Sequence, residues 1–311
     1  MQLIRGLHNI RPQHKGCVLT IGKFDGVHLG HQAVLRNLRN KAEELSLPTA
    51  VMVFEPQPEE VFTPEKAPSR LSRWRDKYEA MRDLGMDRLF CVHFTHSFAN
   101  QSAVQFIKDI LVDKLGVKFL VVGDDFRFGK GREGDFAMLL EAGKQFGFSV
   151  VNTASFRLAD CRISSTAIRQ ALAEHDFTLA KQMLGRTFSI KGRVVHGQKK
   201  GRTIGFPTAN VNLKRAKPPV VGVYAVSIDI CGEYYQGVAN IGARPTVSGE
   251  DALLEVHIFD FSGDLYGQVI EVNVLHRLRG IQKFATFAEL KIQIEQDALA
   301  ARTYFHRSST L

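Results

Sequence analysis

Cysteine is scarce in this 311-residue chain and never paired. Cys17, Cys91, Cys161 and Cys231 stand apart with no C-x-x-C spacing, which argues against a zinc site or a redox dithiol and leaves reduced core thiols as the simplest reading. No uninterrupted apolar run approaches the ~20 residues of a membrane span. The N-terminal Met-Gln-Leu-Ile-Arg-Gly-Leu-His breaks its hydrophobicity too early for a signal peptide. No membrane is therefore expected as a partner, and the expected location is cytoplasmic. Internal repeats and low-complexity linkers are lacking, and so is any zinc-finger spacing. Apart from the cluster Lys199-Lys200-Gly201-Arg202 the basic residues are spread along the chain. The net charge of +9 then points to small phosphorylated ligands and not to nucleic acid. The segment Gly129-Lys130-Gly131 lacks the G-x-x-x-x-G-K-[ST] spacing, so a P-loop fold is not expected.

What is present suits about two domains, at roughly 150 residues each. The composition, 44% hydrophobic and 23% charged, is that of a globular protein. Apolar runs at residues 17–21, 49–54, 88–93, 119–122 and 149–153 alternate with helical patterns that begin near His31, Ser72, Ser102 and Phe136. This is the pattern of an α/β domain with a parallel sheet. After Gly185 alternating β-branched segments replace the helical period, with strands expected at 188–195, 221–230, 233–241, 253–261 and 268–276 and a hairpin turn at Ser262-Gly263-Asp264. About six such strands predict a closed antiparallel barrel, since closure removes exposed edges. A terminal helix over 286–304, with Phe287, Leu290, Ile294 and Leu299 near one face, is expected to pack on it. The change of texture puts the boundary between Leu184 and Thr187, dividing the chain into 1–184 and 185–311.

The run from Thr20 to His31 joins a buried strand to a helix through Gly22, Phe24, Asp25, Gly26, His28, Gly30 and His31. A helix N-terminus offers unpaired N–H groups and a positive dipole end to an anion, and glycines let backbone approach a nucleotide. His28 and His31, three apart, project to one side and are placed to bracket a phosphate and stabilise charge building on its oxygens. The plainer alternative makes one histidine a helix cap and the other a surface residue. Farther on, Asp124, Asp125, Phe126, Arg127, Phe128 and Lys130 mix acids, rings and cations in a loop that can hold a planar phosphorylated ligand; the alternative is a glycine-rich turn with one Phe in the core. Ser164, Ser165, Thr166 and Arg169 open another helix, either as ordinary N-capping or as a second anion site for a leaving pyrophosphate.

In the second half Gly205 leads to Thr208 and Asn210, two residues apart and so on one face of an extended segment. Such oxygen ligands suit Mg²⁺; a polar turn is the alternative. Glu255 and His257 share a face of an alternating strand. If that face is the barrel interior, Glu255 is a costly buried carboxylate with a task such as general base; if it looks outward, Glu255 is a solvated strand residue.

The string Gly22-Lys23-Phe24-Asp25-Gly26-Val27-His28-Leu29-Gly30-His31 resembles the signature of nucleotidyltransferases, and Ser164 to Arg169 resembles their second signature. With Phe54-Glu55-Pro56, Gly205-Phe206-Pro207-Thr208-Ala209-Asn210, Glu255-Val256-His257 and Asp264-Leu265-Tyr266-Gly267, the chain resembles the bacterial bifunctional riboflavin kinase/FAD synthetase family over nearly its full length. The resemblance implies phosphorylation of riboflavin to FMN by the C-terminal half and adenylylation of FMN to FAD by the N-terminal half. It implies ATP and flavins as small-molecule substrates, Mg²⁺ held with ATP by Thr208 and Asn210, Glu255 as base, His28 and His31 in adenylyl transfer, and Arg279 near the flavin. A monomer or weak homo-oligomer is expected. Lys23 stands where the family most often has asparagine, and Ile281 replaces a common acid. Two rivals stand beside this reading. A nucleotidyltransferase of another substrate is opposed by Thr208, Asn210 and Glu255, and a nucleic-acid binder rests on charge alone.

Overall fold

The computed structural model describes all residues except 124, 154–156, 159–160, 198–204, 214–216, 247–248 and 309–311, with backbone alone for 157, 158, 161, 243–246, 249–251 and 308. Asp124, the side chain of Cys161 and the cluster 199–202 thus lie outside what is described. The chain divides into two compact units, Met1–Pro68 with Ser72–Ser164, and Ser69–Leu71 with Ser165–Leu311.

The first unit is built on six strands: β1 (Gln2–Arg5), β2 (Cys17–Ile21), β3 (Thr49–Glu55), β4 (Arg88–His93), β5 (Val117–Gly123) and β6 (Ser149–Thr153). They lie in the order β1-β4-β3-β2-β5-β6 with every neighbouring pair parallel. β2 is buried at all five positions, and its side chains alternate between two cores: Cys17, Leu19 and Ile21 enter one, Val18 the other. Both faces of the sheet are therefore covered, as an unbroken apolar strand requires. The covering segments are α1 (Leu29–Leu45), α2 (Pro58–Phe62), α3 (Trp74–Asp83), α4 (His96–Ala99), α5 (Ala103–Gln105), which runs into wider π-type winding over Phe106–Lys114, and α6 (Phe136–Phe146). From β2 the chain steps through β3 to β4 on one side, then crosses to β5 and β6 on the other. That reversal puts the switch point, where open α/β sheets bind ligands, at the carboxyl ends of β2 and β5. β1 is an edge strand that the sequence pattern did not reveal. A short hairpin, β7 (Arg157–Leu158) and β8 (Cys161–Arg162), follows β6.

The second unit opens with α7 (Ser165–Ala173) and α8 (Phe177–Leu184), some twenty residues before the change of texture at 184–187. These helices pack on the barrel through His175 and Phe177, whose rings meet Tyr224 at 6.1 and 5.8 Å. The barrel closes as β10-β13-β12-β11-β14-β9, all antiparallel, from β9 (Ser189–Val195), β10 (Ala209–Asn212), β11 (Gly222–Ile230), β12 (Glu233–Thr246), β13 (Gly249–Ile258) and β14 (Val269–Arg279). Because β13 pairs with β10 and β12 while β14 pairs with β11 and β9, Ser262-Gly263-Asp264 does not turn a hairpin; it carries the chain between strands that are not neighbours.

The terminal helix α9 (Phe287–Ser308) packs through Ala298, Ala301, Tyr304 and Phe305 against Ala225, Phe259, Leu275 and Leu278. Phe287 and Leu299, expected on the packed face, are instead exposed. The buried stripe passes through Asp297, a position that hydrophobic periodicity discounts.

Candidate functional site

At the end of β2 the chain makes a constrained turn. Phe24 and Val27 adopt φ of 48° and 40°, and Gly26 of 83°; for the two non-glycine residues this left-handed conformation costs about 1–3 kcal/mol each and persists only where surroundings enforce it. Ser72 does so. Its Oγ accepts from Gly26 N at 3.0 Å, while its N–H and hydroxyl donate to Asp25 Oδ1 at 3.0 and 3.3 Å. Asp25 and Ser72 are both buried. Lys23, the departure from the family pattern, pairs with Glu59 of α2.

His28 caps α1, its Nδ1 accepting from His31 N at 3.3 Å, so the capping reading holds for this residue. His31 is not a surface residue: its Nδ1 is shut off from solvent with no hydrogen-bond partner. Burial, then the charges of His28 and Lys77, hold His31 well below the ordinary histidine range. The two rings do project to one side, but they stack at 3.6 Å with 17° between planes. No phosphate fits between them. They present neighbouring edges instead, and Gly30 leaves room for this, since a Cβ there would stand 3.2 Å from the His28 ring. Gly22 likewise makes room for the Phe24 ring at 3.0 Å.

At the end of β5 the two phenylalanines separate in role. Phe128 is buried in the core against Phe106 (5.4 Å) and exchanges backbone hydrogen bonds with Gly134. Phe126, half-buried, stacks on it at 5.6 Å. Asp125 is exposed, and Arg127 stands 3.9 Å from Asp135. Phe54, already quoted in the Phe54-Glu55-Pro56 string, and Phe62, Phe94 and Phe98, which the sequence reading missed, extend this aromatic surface. Phe54 from β3, Phe94 after β4 and Phe98 of α4 meet one another at 5.6–5.8 Å, and Phe62 of α2, more than half exposed, joins Phe94 at 5.8 Å. The signal was the clustering of Phe at strand ends, a non-local pattern. Such an array can receive a planar ring.

Ser165, Thr166 and Arg169 lie in the first turns of α7, with Ser164 just before it. Thr166 is exposed, and Arg169 Nε donates to the Ser69 carbonyl at 2.6 Å. That bond anchors 69–71 to the second unit.

On the barrel, Val211, Leu254 and Ile241 form one inward row across β10, β13 and β12, each 0% exposed. The adjoining row, Asn210, Glu255 and Asn240, therefore faces outward. Glu255 is not in the barrel interior, so the cost of interior burial does not explain its presence. It is half-buried and accepts from Asn240 Nδ2 at 3.4 Å. Asn210 is 7% exposed because Gly197 lies against its amide; its Nδ2 donates to the Thr208 carbonyl at 3.4 Å. Thr208 and Gly205 are exposed beside it. His257, on the same face, bonds the Pro207 carbonyl at 2.9 Å and meets Phe206 edge to face. Thr208, Asn210 and Glu255 are thus brought together. A hydroxyl, an amide and a carboxylate make an oxygen-rich donor set that fits Mg²⁺. Among the described residues no cluster of three His, Cys, Asp or Glu side chains suits a metal.

Arg279 is engaged elsewhere. Its guanidinium grips Asp297 of α9 with Nε and Nη2 at 2.8–3.1 Å and lies 5.7 Å from the Phe284 ring centre. Asp297 supplies the carboxylate that Ile281, half-exposed over Gly242, does not.

A family model for FAD synthetase matches residues 10–167, and one for riboflavin kinase matches 184–305. Curated relatives include the bifunctional riboflavin kinase/FMN adenylyltransferases of Haemophilus influenzae, 54% identical over 98% of this chain and 100% of that one, and of Escherichia coli K12, 53% identical over 98% of each. Among solved structures, one described as a macrolide-efflux protein from Streptococcus pneumoniae aligns with a TM-score of 0.77 at 30% identity, covering 96% of this chain and 98% of that one. Among the described residues no helix is long and apolar enough to cross a membrane.

Proposed function

Because the chain belongs to the bifunctional riboflavin kinase/FMN adenylyltransferase family, we propose a division of its two reactions between the two polar clusters. The chain phosphorylates riboflavin to FMN and adenylylates FMN to FAD. The observation that carries the division is that the outward row Asn210–Glu255–Asn240 and the stacked His28–His31 pair belong to different compact units. We place the functional boundary at Leu184/Gly185 and the reactions in the cytoplasm.

For the kinase reaction Glu255 takes the proton of the terminal ribityl hydroxyl as that oxygen attacks the γ-phosphorus of ATP, releasing ADP. Its outward, half-buried position suits this role, because a base must reach its substrate. Thr208 and Asn210 are the residues that would hold Mg²⁺, which, when bound, offsets phosphate charge. Gly205 leads the backbone to the same spot.

For the adenylyl transfer an FMN phosphate oxygen attacks the α-phosphorus of ATP, and the bond to pyrophosphate breaks. The adjacent edges of His28 and His31 and the N-terminus of α1, held by the turn through Gly22, Phe24, Asp25, Gly26 and Gly30, stabilise charge on the α-phosphate oxygens. Ser164, Ser165, Thr166 and Arg169 hold the departing pyrophosphate. Phe126, with the Phe54, Phe62, Phe94 and Phe98 array, receives the flavin ring, and Asp125 accepts from it. Phe128 acts from behind, through Phe126. Asp124 completes this proposal from outside the described residues. Arg279 serves flavin binding on the kinase side by fixing the 279–284 turn.

The test is a time course of riboflavin, ATP and Mg²⁺ with the flavins separated by chromatography. FMN is expected before FAD. Glu255→Gln is expected to slow FMN formation by about 10²–10⁴ while sparing adenylylation of supplied FMN, and His31→Ala to slow only adenylylation, by about 10²–10³. Equal loss of both activities in either variant overturns the division.

A further inference from the structure

Two residues beyond Glu255, the outward face of β13 carries His257, half-buried. Its Nδ1 lies 2.9 Å from the Pro207 carbonyl oxygen. A carbonyl only accepts, so the hydrogen of a neutral His257 ring sits on Nδ1 and is donated there. The ring is held edge to face by Phe206 at 5.1 Å and by Phe259 at 5.7 Å. Phe259 in turn is 4% exposed and packs with α9, whose Arg302 lies over its ring at 4.3 Å and pairs with Asp260 at 3.0–3.1 Å. His257 thus stands on a fixed base.

The segment it reaches lies beyond the ladder. The pairing of β10 with β13 sets Asn210 opposite Glu255 and Ala209 opposite Val256, and ends there. Thr208 is the next residue out, exposed, and follows a proline that has no N–H to give. Among the described residues, the polar and ring contacts of 205–208 come from Asn210, to the Thr208 carbonyl at 3.4 Å, and from His257, to the Pro207 carbonyl and the Phe206 ring. The first of these bonds is long, and the second is of ordinary length.

We infer that His257 is a positioning residue for the kinase reaction: by donating from Nδ1 to the Pro207 carbonyl it fixes the peptide that enters Thr208 and so aims the Thr208 hydroxyl beside Asn210 and Glu255. This rests on the reading that Thr208 and Asn210 hold Mg²⁺ and that Glu255 is the base. The Pro207 carbonyl and the Thr208 nitrogen belong to one planar peptide. Pinning the oxygen therefore fixes the plane from which Thr208 projects, where the ladder no longer does. Glu255 and His257 share one face of one strand, so the carboxylate and the group that aims the hydroxyl keep a constant separation. Freed of that bond, Thr208 must be ordered when the metal–nucleotide binds, and the ordering costs affinity.

The experiment compares full-length wild type, His257→Phe, His257→Asn and Thr208→Ala. His257→Phe keeps a ring against Phe206 but has no donor; His257→Asn keeps an amide donor where Nδ1 stood. The measurements are riboflavin phosphorylation against Mg²⁺ concentration, adenylylation of supplied FMN, and ¹⁵N imidazole spectra of the metal-free protein at about pH 8, where the ring is neutral. His257→Phe is expected to raise the Mg²⁺ needed for half-maximal phosphorylation by about 10–100-fold, the range for groups that orient a metal ligand, and to leave adenylylation unchanged. His257→Asn should recover most of the loss. An unchanged Mg²⁺ requirement in His257→Phe beside a defective Thr208→Ala overturns the inference, as does a His257→Asn no better than His257→Phe. A Thr208→Ala with wild-type phosphorylation and Mg²⁺ requirement overturns the reading beneath it, and the inference with it. Should the His257 variants not fold, the wild-type spectra decide. A His257 ring protonated on Nδ1 supports the inference, and one protonated on Nε2 overturns it.

Discussion

Ser72→Ala removes two of the three described hydrogen bonds between Ser72 and the constrained turn. The Gly26 N–H loses its acceptor at 3.0 Å and Asp25 Oδ1 loses the hydroxyl at 3.3 Å, while the bond from Ser72 N at 3.0 Å remains. All three residues are buried. Loss of the bond to the buried Gly26 N–H costs about 1–3 kcal/mol, and the longer bond to a carboxylate that keeps the Ser72 N–H adds about 1 kcal/mol, for a total of about 2–4 kcal/mol. For a unit of this size each kcal/mol lowers the melting temperature by about 2–4 °C. The melt of the first unit should therefore fall by about 4–16 °C. With its anchor gone, the left-handed backbone at Phe24 and Val27 relaxes and His28 and His31 shift with it, so FAD formation from FMN should fall by about tenfold or more, as for an oxygen or ring misplaced by an ångström. Scanning calorimetry and the two flavin assays measure this. A melt within about 2 °C of wild type, with FAD formation intact, would refute the idea that Ser72 enforces the turn.

Asp297→Ala leaves Arg279 without its buried partner and should destabilise the barrel by about 3–5 kcal/mol, read from urea unfolding; a loss under about 1 kcal/mol would mean the pair acts like a surface salt bridge. His31 has a folded pKa below its unfolded value, chiefly through burial. On acidification the unfolded chain takes up the proton first, so this contribution is complete above about pH 6.5 and is lost below it by up to about 1.4 kcal/mol per pH unit. His31→Gln should accordingly lose less stability than wild type between pH 7.5 and 5.5. A residual slope is expected from His14 and His175, which are lowered the same way by burial. Burial pushes the Cys17 thiol up to about 12, whereas Cys231 is exposed. Iodoacetamide at pH 8 should label Cys231 in the native protein and Cys17 only after unfolding, as peptide mapping will show; early labelling of Cys17 would contradict its burial.

The parts of this fold that could be read in advance are those whose signal is local. β2 is five buried residues in a row, and α1 begins where a cap side chain meets helical spacing. The barrel announced itself by alternation, yet β10 escaped because it is four residues long and asparagine stands at two of them. The packed face of α9 was misread because its buried stripe contains Asp297, which belongs there only once Arg279 is in view from β14. The site shows the same division. His28, His31, Phe54, Thr208, Asn210 and Glu255 occur in compact strings, whereas the rings of Phe62, Phe94 and Phe98 reach the aromatic cluster from separate helices and strand ends. Whether Glu255 faced in or out depended on register, which Asn210 and Asn240 opposite it define.

The barrel keeps its candidate chemistry on the outside and its apolar rows within. Val211, Leu254 and Ile241 share strands with Asn210, Glu255 and Asn240, but the period-two geometry of a strand turns each pair back to back. Selection on the two populations is thereby nearly independent. The inner rows can trade volume among Val, Leu and Ile as temperature demands, while the outer row is free to answer to the proposed chemistry, so relatives living in heat or cold can retune the barrel's stability without touching the groups proposed to meet the nucleotide.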